Sequence, residues 1–197
     1  MIFYRKEKYN AITLYYDIKM DNELNEIVQR VTEYMALSAK TAPKARGNDF
    51  VGIKIVKGKE LGELADAMVE YGKQNNKTNY DRDGQNVMNS DAVLLLSLSG
   101  NTVPPGLNCG ACGKERCTDL NPQEGAEFMG PLCAWRLLDL GVALGSAVKT
   151  ASMFNLDNRI MYRAGAAARK MGFMEGQIIV GIPVSATGKS IYFDRKL

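Results

Sequence analysis

Four cysteines, Cys109, Cys112, Cys117 and Cys133, fall inside one short stretch of the 197-residue chain, and they are the only ones it has. Their pattern is Cys-x2-Cys-x4-Cys-x15-Cys, opening in Asn108-Cys109-Gly110-Ala111-Cys112-Gly113. A cubane iron-sulfur cluster needs thiolates on all sides. A tight Cys-x2-Cys turn with a third cysteine close by can wrap one side, and a distant fourth can close the other. Gly106, Gly110 and Gly113 lie where main-chain N–H groups can approach cluster sulfurs, and such hydrogen bonds help set a reduction potential. Four thiolates also suit structural zinc. Zinc sites usually pair two Cys-x2-Cys knuckles, whereas here Cys117 stands alone. A disulfide or redox Cys-x2-Cys pair would leave two of the four without a task. The plant-type [2Fe-2S] spacing, C-x4-C-x2-C, is the mirror order of this one, so the spacing favours [4Fe-4S].

Histidine is absent. That excludes Ser-His-Asp and Cys-His catalysis and His-ligated metals, and it leaves any acid-base role to Tyr, Lys, Asp or Glu. The chain is 46% hydrophobic and 24% charged with a net charge of +3, the balance of a globular protein and too weakly basic for a nucleic-acid footprint. The first eight residues carry charges where a signal peptide needs an apolar core, so a cytoplasmic address is expected. The most apolar long stretch, 132–154, is interrupted by Arg136, Asp139 and Lys149 and does not read as a membrane span.

The elements that must hold the cysteine loop follow from periodicity. Leu24, Ile27, Val28, Val31, Tyr34 and Met35 recur at helical spacing after a cap at Asp21 or Asn22, and that helix should stop before Pro43. A strand is predicted over 50–56, a helix over 61–73 and a polar surface loop over 74–79. The nearly continuous apolar run 91–98 reads as an interior strand covered on both faces. Pro131 is placed to start a helix whose residues 132–154 are apolar or small nearly all round, as at the centre of a domain, with Gly141 and Gly145 admitting a close neighbour. A further helix over 158–171 ends at Gly172, and a strand closes the fold at 178–182. This order indicates one α+β domain over 1–197, with 99–133 as its cluster loop. Gly188-Lys189-Ser190 lacks the first glycine of a P-loop, since Pro183 stands there.

The segment from Cys109-Gly110-Ala111-Cys112-Gly113 through Cys133-Ala134-Trp135 and on to Gly181-Ile182-Pro183-Val184-Ser185-Ala186-Thr187-Gly188-Lys189 resembles the uncharacterised ferredoxin-domain-containing proteins of bacteria and archaea. Its Cys-Gly-x-Cys-Gly opening is also similar to the four-cysteine cluster domain of anaerobic electron-transfer complexes. Both resemblances imply a [4Fe-4S] cluster on the four cysteines. Residues 36–48, with the strand at Val51, resemble the helix-to-strand segment of nitroreductases. That resemblance implies an α+β layered sheet with helices and a homodimer with FMN at its interface. It places the flavin near Lys44, Arg46 and Asn48, and its phosphate near Lys189 or Arg195. The function so implied is single-electron transfer to a redox partner protein, or, with FMN bound, two-electron reduction of a small molecule by an FMN-dependent oxidoreductase. The alternative is a non-enzymatic module in which the same four thiolates hold zinc and pin the loop.

Overall fold

In the computed structural model the described residues are 11–193. In chain order the principal elements are α1 (Ala11–Thr41), β1 (Val51–Val56), α2 (Lys59–Gln74), α3 (Tyr80–Met88), β2 (Ala92–Leu98), β3 (Gln123–Glu124), β4 (Met129–Gly130), α4 (Ala134–Met153), β5 (Asp157–Asn158), α5 (Tyr162–Lys170) and β6 (Ile178–Ser185). The main sheet has the order β1-β2-β6-β5 with every pair antiparallel, and β3 and β4 form a separate hairpin.

Strand β2 lies between β1 and β6, in register Val51↔Leu98 and Leu98↔Ile178, and all seven of its residues are buried. Successive side chains on a strand point to opposite faces. Leu94, Leu96 and Leu98 therefore join one core with Val28, Val31 and Met35 of α1 and Leu140, Ala143 and Ala147 of α4. Val93 and Leu95 join another core with Leu64 and Met68 of α2, Tyr80 and Val87 of α3, and Ala164 and Ala167 of α5. The result is three layers, with α1 and α4 on one face of the sheet and α2, α3 and α5 on the other. It is the α+β arrangement expected, with an interior strand covered on both faces. Helix α5 lies close on β6 because its facing residues are small: a Cβ added to Gly165 would stand 1.9 Å from the Ile179 carbonyl oxygen.

The α5 terminus closes as its glycine foretells. Gly172 has φ 75°, and the Phe173 and Gly172 N–H groups donate to the Ala168 and Arg169 carbonyls at 2.8 and 3.3 Å. Other expectations need correction. Asp21 and Asn22 do not cap α1 but lie within it, since the helix already runs from Ala11. Helix α3 was missed because only Tyr80, Gly84 and Val87 of its nine residues turn inward without charge. The helix predicted over 158–171 is shorter, because Asp157 and Asn158 pair with Ser185 and Val184 at the sheet edge. Pro131 precedes α4 without starting it, and α4 is not buried all round. Trp135, Leu138 and Val142 are exposed, and a Cβ at Gly141 or Gly145 would meet nothing within 4 Å among the described residues. Among the described residues no helix is long and apolar enough to cross a membrane.

Candidate iron-sulfur site

The loop after β2 leaves the end of the sheet where β1 begins, crosses the β3–β4 hairpin and enters α4 at Cys133, the N-cap residue of that helix. All four cysteines line one shallow concavity, together with the apolar side chains of Pro104, Pro105, Leu107, Leu120 and Trp135. Cys133 is buried at its base, Cys112 and Cys117 are half-buried, and Cys109 is exposed at the rim. Among the described residues no three Cys, Asp or Glu side chains are placed to hold a single metal ion.

Several donors point at these sulfurs. The Trp135 indole N–H donates to Cys109 Sγ at 3.3 Å, and the Asn108 main-chain N–H donates to Cys117 Sγ at 3.4 Å. The Asn108 side chain returns the contact by accepting from the Cys117 N–H at 2.8 Å, with Asn108 itself at φ 47°. The Ala111 main-chain N–H, followed by the Trp135 indole, lowers the Cys109 thiol below its ordinary pKa. Gly110, at φ 74°, makes the Cys109–Cys112 turn possible. Cys133 sits at the positive end of the α4 dipole, where negative charge is stabilised.

The loop is tied down on two sides. On one, buried Arg136 of α4 donates from Nε to the Val103 carbonyl at 2.8 Å, and from Nη1 to the Ala45 and Asn48 carbonyls at 3.1 and 3.3 Å and to Asp139 Oδ2 at 2.9 Å. Its guanidinium lies 4.7 Å from the Phe50 ring centroid, and Asp139 Oδ1 accepts the Ala45 N–H at 2.7 Å. On the other, Glu124 of β3 takes Arg169 and Lys170 of α5, each at 2.6 Å, while the Tyr80 hydroxyl of α3 donates to Glu127 at 2.8 Å. The Arg136–Asp139 pair, three residues apart, had no signature beyond two charges breaking an apolar run.

The residues expected near a flavin fall in two places. Lys44 donates to the Ala42, Lys40 and Ala39 carbonyls at 2.7, 2.9 and 3.1 Å, closing the end of α1. Arg46, with φ 55°, donates to the Pro105 carbonyl at 2.7 Å and so touches the cysteine loop, and Asn48 lies beside it through Arg136. Lys189 follows the far end of β6, where Ala186 N–H meets Asp91 and Thr187 meets Asp157. A sheet length of roughly 20 Å therefore separates it from the Lys44–Asn48 group. Arg195 lies outside the described residues.

The model of the family described as "uncharacterized protein containing a ferredoxin domain" matches residues 129–195, a span that includes Cys133. An uncharacterized protein of Archaeoglobus fulgidus is 44% identical over 173 residues, covering 87% of this chain and 93% of that protein. Among solved structures, the nitroreductase CinD of Lactococcus lactis in complex with nicotinic acid aligns with a TM-score of 0.59 at 10% identity, over 86% of this chain and 83% of its own. The FMN-dependent nitroreductase NfnB of Mycobacterium smegmatis in complex with NADPH aligns with a TM-score of 0.56 at 10% identity, over 83% and 80%. A nitroreductase with bound FMN from Desulfitobacterium hafniense gives 0.52 at 12% identity, over 81% and 78%. These likenesses show a nitroreductase-like fold, as the residues before Val51 led us to expect.

Proposed function

The chain belongs to the family of uncharacterized proteins containing a ferredoxin domain, and from that premise we propose that it is a redox protein holding one [4Fe-4S] cluster on Cys109, Cys112, Cys117 and Cys133. The observation that carries this reading is that four cysteines from one loop line a single apolar cup. Zinc sites usually pair two Cys-x2-Cys knuckles, and here Cys117 and Cys133 each stand alone beside one, a spacing that favours a cluster. Such a cluster supplies single-electron transfer.

The chain's own residues do the rest. Trp135, Asn108 and Ala111 N–H groups stabilise negative charge on sulfur, which favours the reduced state and raises the potential. Pro104, Pro105 and Leu120 give the cup apolar walls, while exposed Cys109 and Trp135 leave an edge that a redox partner protein can approach. The cup takes its shape from residues 99–133 and both layers beneath it, so we read 1–197 as one domain. Four free thiols in one loop suit a reducing compartment, in keeping with a cytoplasmic address.

An FMN role rests on a second copy. In one chain Lys189 is remote from Arg46 and Asn48, and the Lys44 ammonium is taken up by α1 carbonyls, so a flavin touching both groups would have to bridge two protomers. The outer face of the α1–α4 layer offers Ile27, Leu37, Leu138 and Val142 as exposed apolar surface for that homodimer. With flavin present the protein would be an oxidoreductase for a small molecule, and without it an electron carrier.

Iron analysis of a Cys112→Ser variant tests the ligand set. Loss of most iron and of visible absorbance in a folded variant is the expected result. Iron retained in full would overturn the assignment.

A further inference from the structure

Asp83 of α3 is 0% exposed, and three arginines gather on its carboxylate. Arg82 reaches Oδ1 with Nε at 2.9 Å and Nη2 at 2.8 Å, and Arg159 donates to the same oxygen from Nη1 at 3.4 Å. Arg163 of α5 donates to Oδ2 from Nη1 at 2.8 Å. These arginine side chains are 35%, 21% and 18% exposed, so guanidinium groups cover a carboxylate that has no surface of its own. Among the described residues no other carboxylate lies within 4 Å of any of the three, which leaves two positive charges in excess. Arg163 also stands in the first turn of α5, a turn without an acidic residue and the end of a helix that disfavours cations. Arg82 Nη1, Arg159 Nη2 and Arg163 Nη2 have no acceptor among the described residues, and none of these three atoms is buried. One cation is enough to neutralise Asp83, so the fold keeps two more guanidinium groups beside it with accessible N–H edges.

We propose that Arg82, Arg159 and Arg163 form a binding site for a phosphate group. Two excess charges match the nearly two negative charges of a phosphate monoester at neutral pH, whereas a carboxylate would answer only one. Guanidinium forks fit phosphate oxygens in pairs. Exposed aromatic rings flank the site: the Arg163 guanidinium lies 5.2 Å from the Tyr162 ring centroid and that of Arg159 lies 5.9 Å from the Phe193 centroid. The phosphate is therefore either free or carried by a small molecule whose own ring can lie against these two. None of these residues lines the cysteine cup, so the inference stands apart from the iron-sulfur reading.

The test is an anaerobic calorimetric titration of the full chain with sodium phosphate at neutral pH and constant ionic strength, with sodium acetate as the singly charged control. Saturable phosphate binding, at least about tenfold tighter than acetate, is expected. Arg82→Gln and Arg159→Gln should each weaken phosphate at least about tenfold, the loss of one charge-assisted hydrogen bond. Arg159, whose contact with Asp83 is the longest, is the variant expected to disturb the fold least. Lys59→Gln, an exposed charge lost from α2, should leave phosphate binding unchanged. Phosphate should also raise the Tm of the wild type more than that of either arginine variant, a linkage that arginines serving Asp83 alone would not show. Phenyl phosphate separates the two sources: tighter binding than inorganic phosphate identifies an organic phosphate, and binding no tighter identifies free phosphate, either result supporting the site. No saturable phosphate binding, acetate bound as well as phosphate, an equal loss in Lys59→Gln, or undiminished binding by the folded arginine variants would each overturn it.

Discussion

Replacing Asp139 with alanine should loosen the cysteine loop from the body of the protein. Asp139 is the only carboxylate within ion-pair distance of buried Arg136 among the described residues, and it also accepts the Ala45 N–H. Breaking a buried ion pair by removing one partner costs about 3–5 kcal/mol, because the other charge is left without compensation. Orphaning the Ala45 N–H adds about 1 kcal/mol. Against this, Arg136 keeps the Val103, Ala45 and Asn48 carbonyls and the Phe50 ring, which hold the penalty toward the low end, at about 3 kcal/mol. For a chain of this length each kcal/mol moves Tm by roughly 2–4 °C, so thermal unfolding followed by circular dichroism should show a drop of about 6–12 °C. Asp139→Asn, which keeps an acceptor for Ala45 but removes the charge, should fall between wild type and alanine. A drop below about 2 °C for the alanine variant, with unfolding still cooperative, would refute the view that this pair fastens α4 to the loops at 45–48 and 103.

Trp135→Phe removes one N–H donor from Cys109 Sγ and keeps the ring. That loss should move the cluster's midpoint potential to a more negative value in a redox titration, by tens of millivolts at most. Arg169, then Lys170, hold Glu124 at about 2 against an ordinary 4.5, so the contribution of this clamp is present above pH 4.5 and lost as pH falls toward 2. Hydrogen exchange in the β3–β4 hairpin should accelerate over that window, and Glu124→Gln should abolish the pH dependence. Gly165→Ala drives a methyl into the Ile179 carbonyl and should lower Tm more than Gly141→Ala, whose methyl meets nothing, by at least about 5 °C.

The cysteine cup was legible in the sequence because a residue type absent elsewhere was concentrated between 109 and 133, and because β2 announced a rigid anchor through an unbroken apolar run. Gly172 was legible for a similar reason, since few residues tolerate its positive φ. The donors to sulfur were not, because Asn108 and Ala111 act through main-chain N–H groups that any residue carries, and Trp135 reads equally as a core aromatic. Arg136 and Asp139 betrayed only a break in hydrophobicity, and their depth depends on α1 and β1 folding over them. The exposed face of α4 was misread because apolar composition reports that a surface wants cover without saying whether the chain itself supplies it. Helix α3 escaped notice for the opposite reason: Asp83 is fully buried among Arg82, Arg159 and Arg163, an arrangement invisible in a polar stretch.

The most direct test of the central claim is the visible absorption spectrum of anaerobically purified protein before and after dithionite, with iron and zinc measured on the same sample. A broad brown absorbance that bleaches on reduction, with about four irons per chain, is the predicted result. A colourless protein with about one zinc and no iron would contradict it and leave a structural metal module in its place.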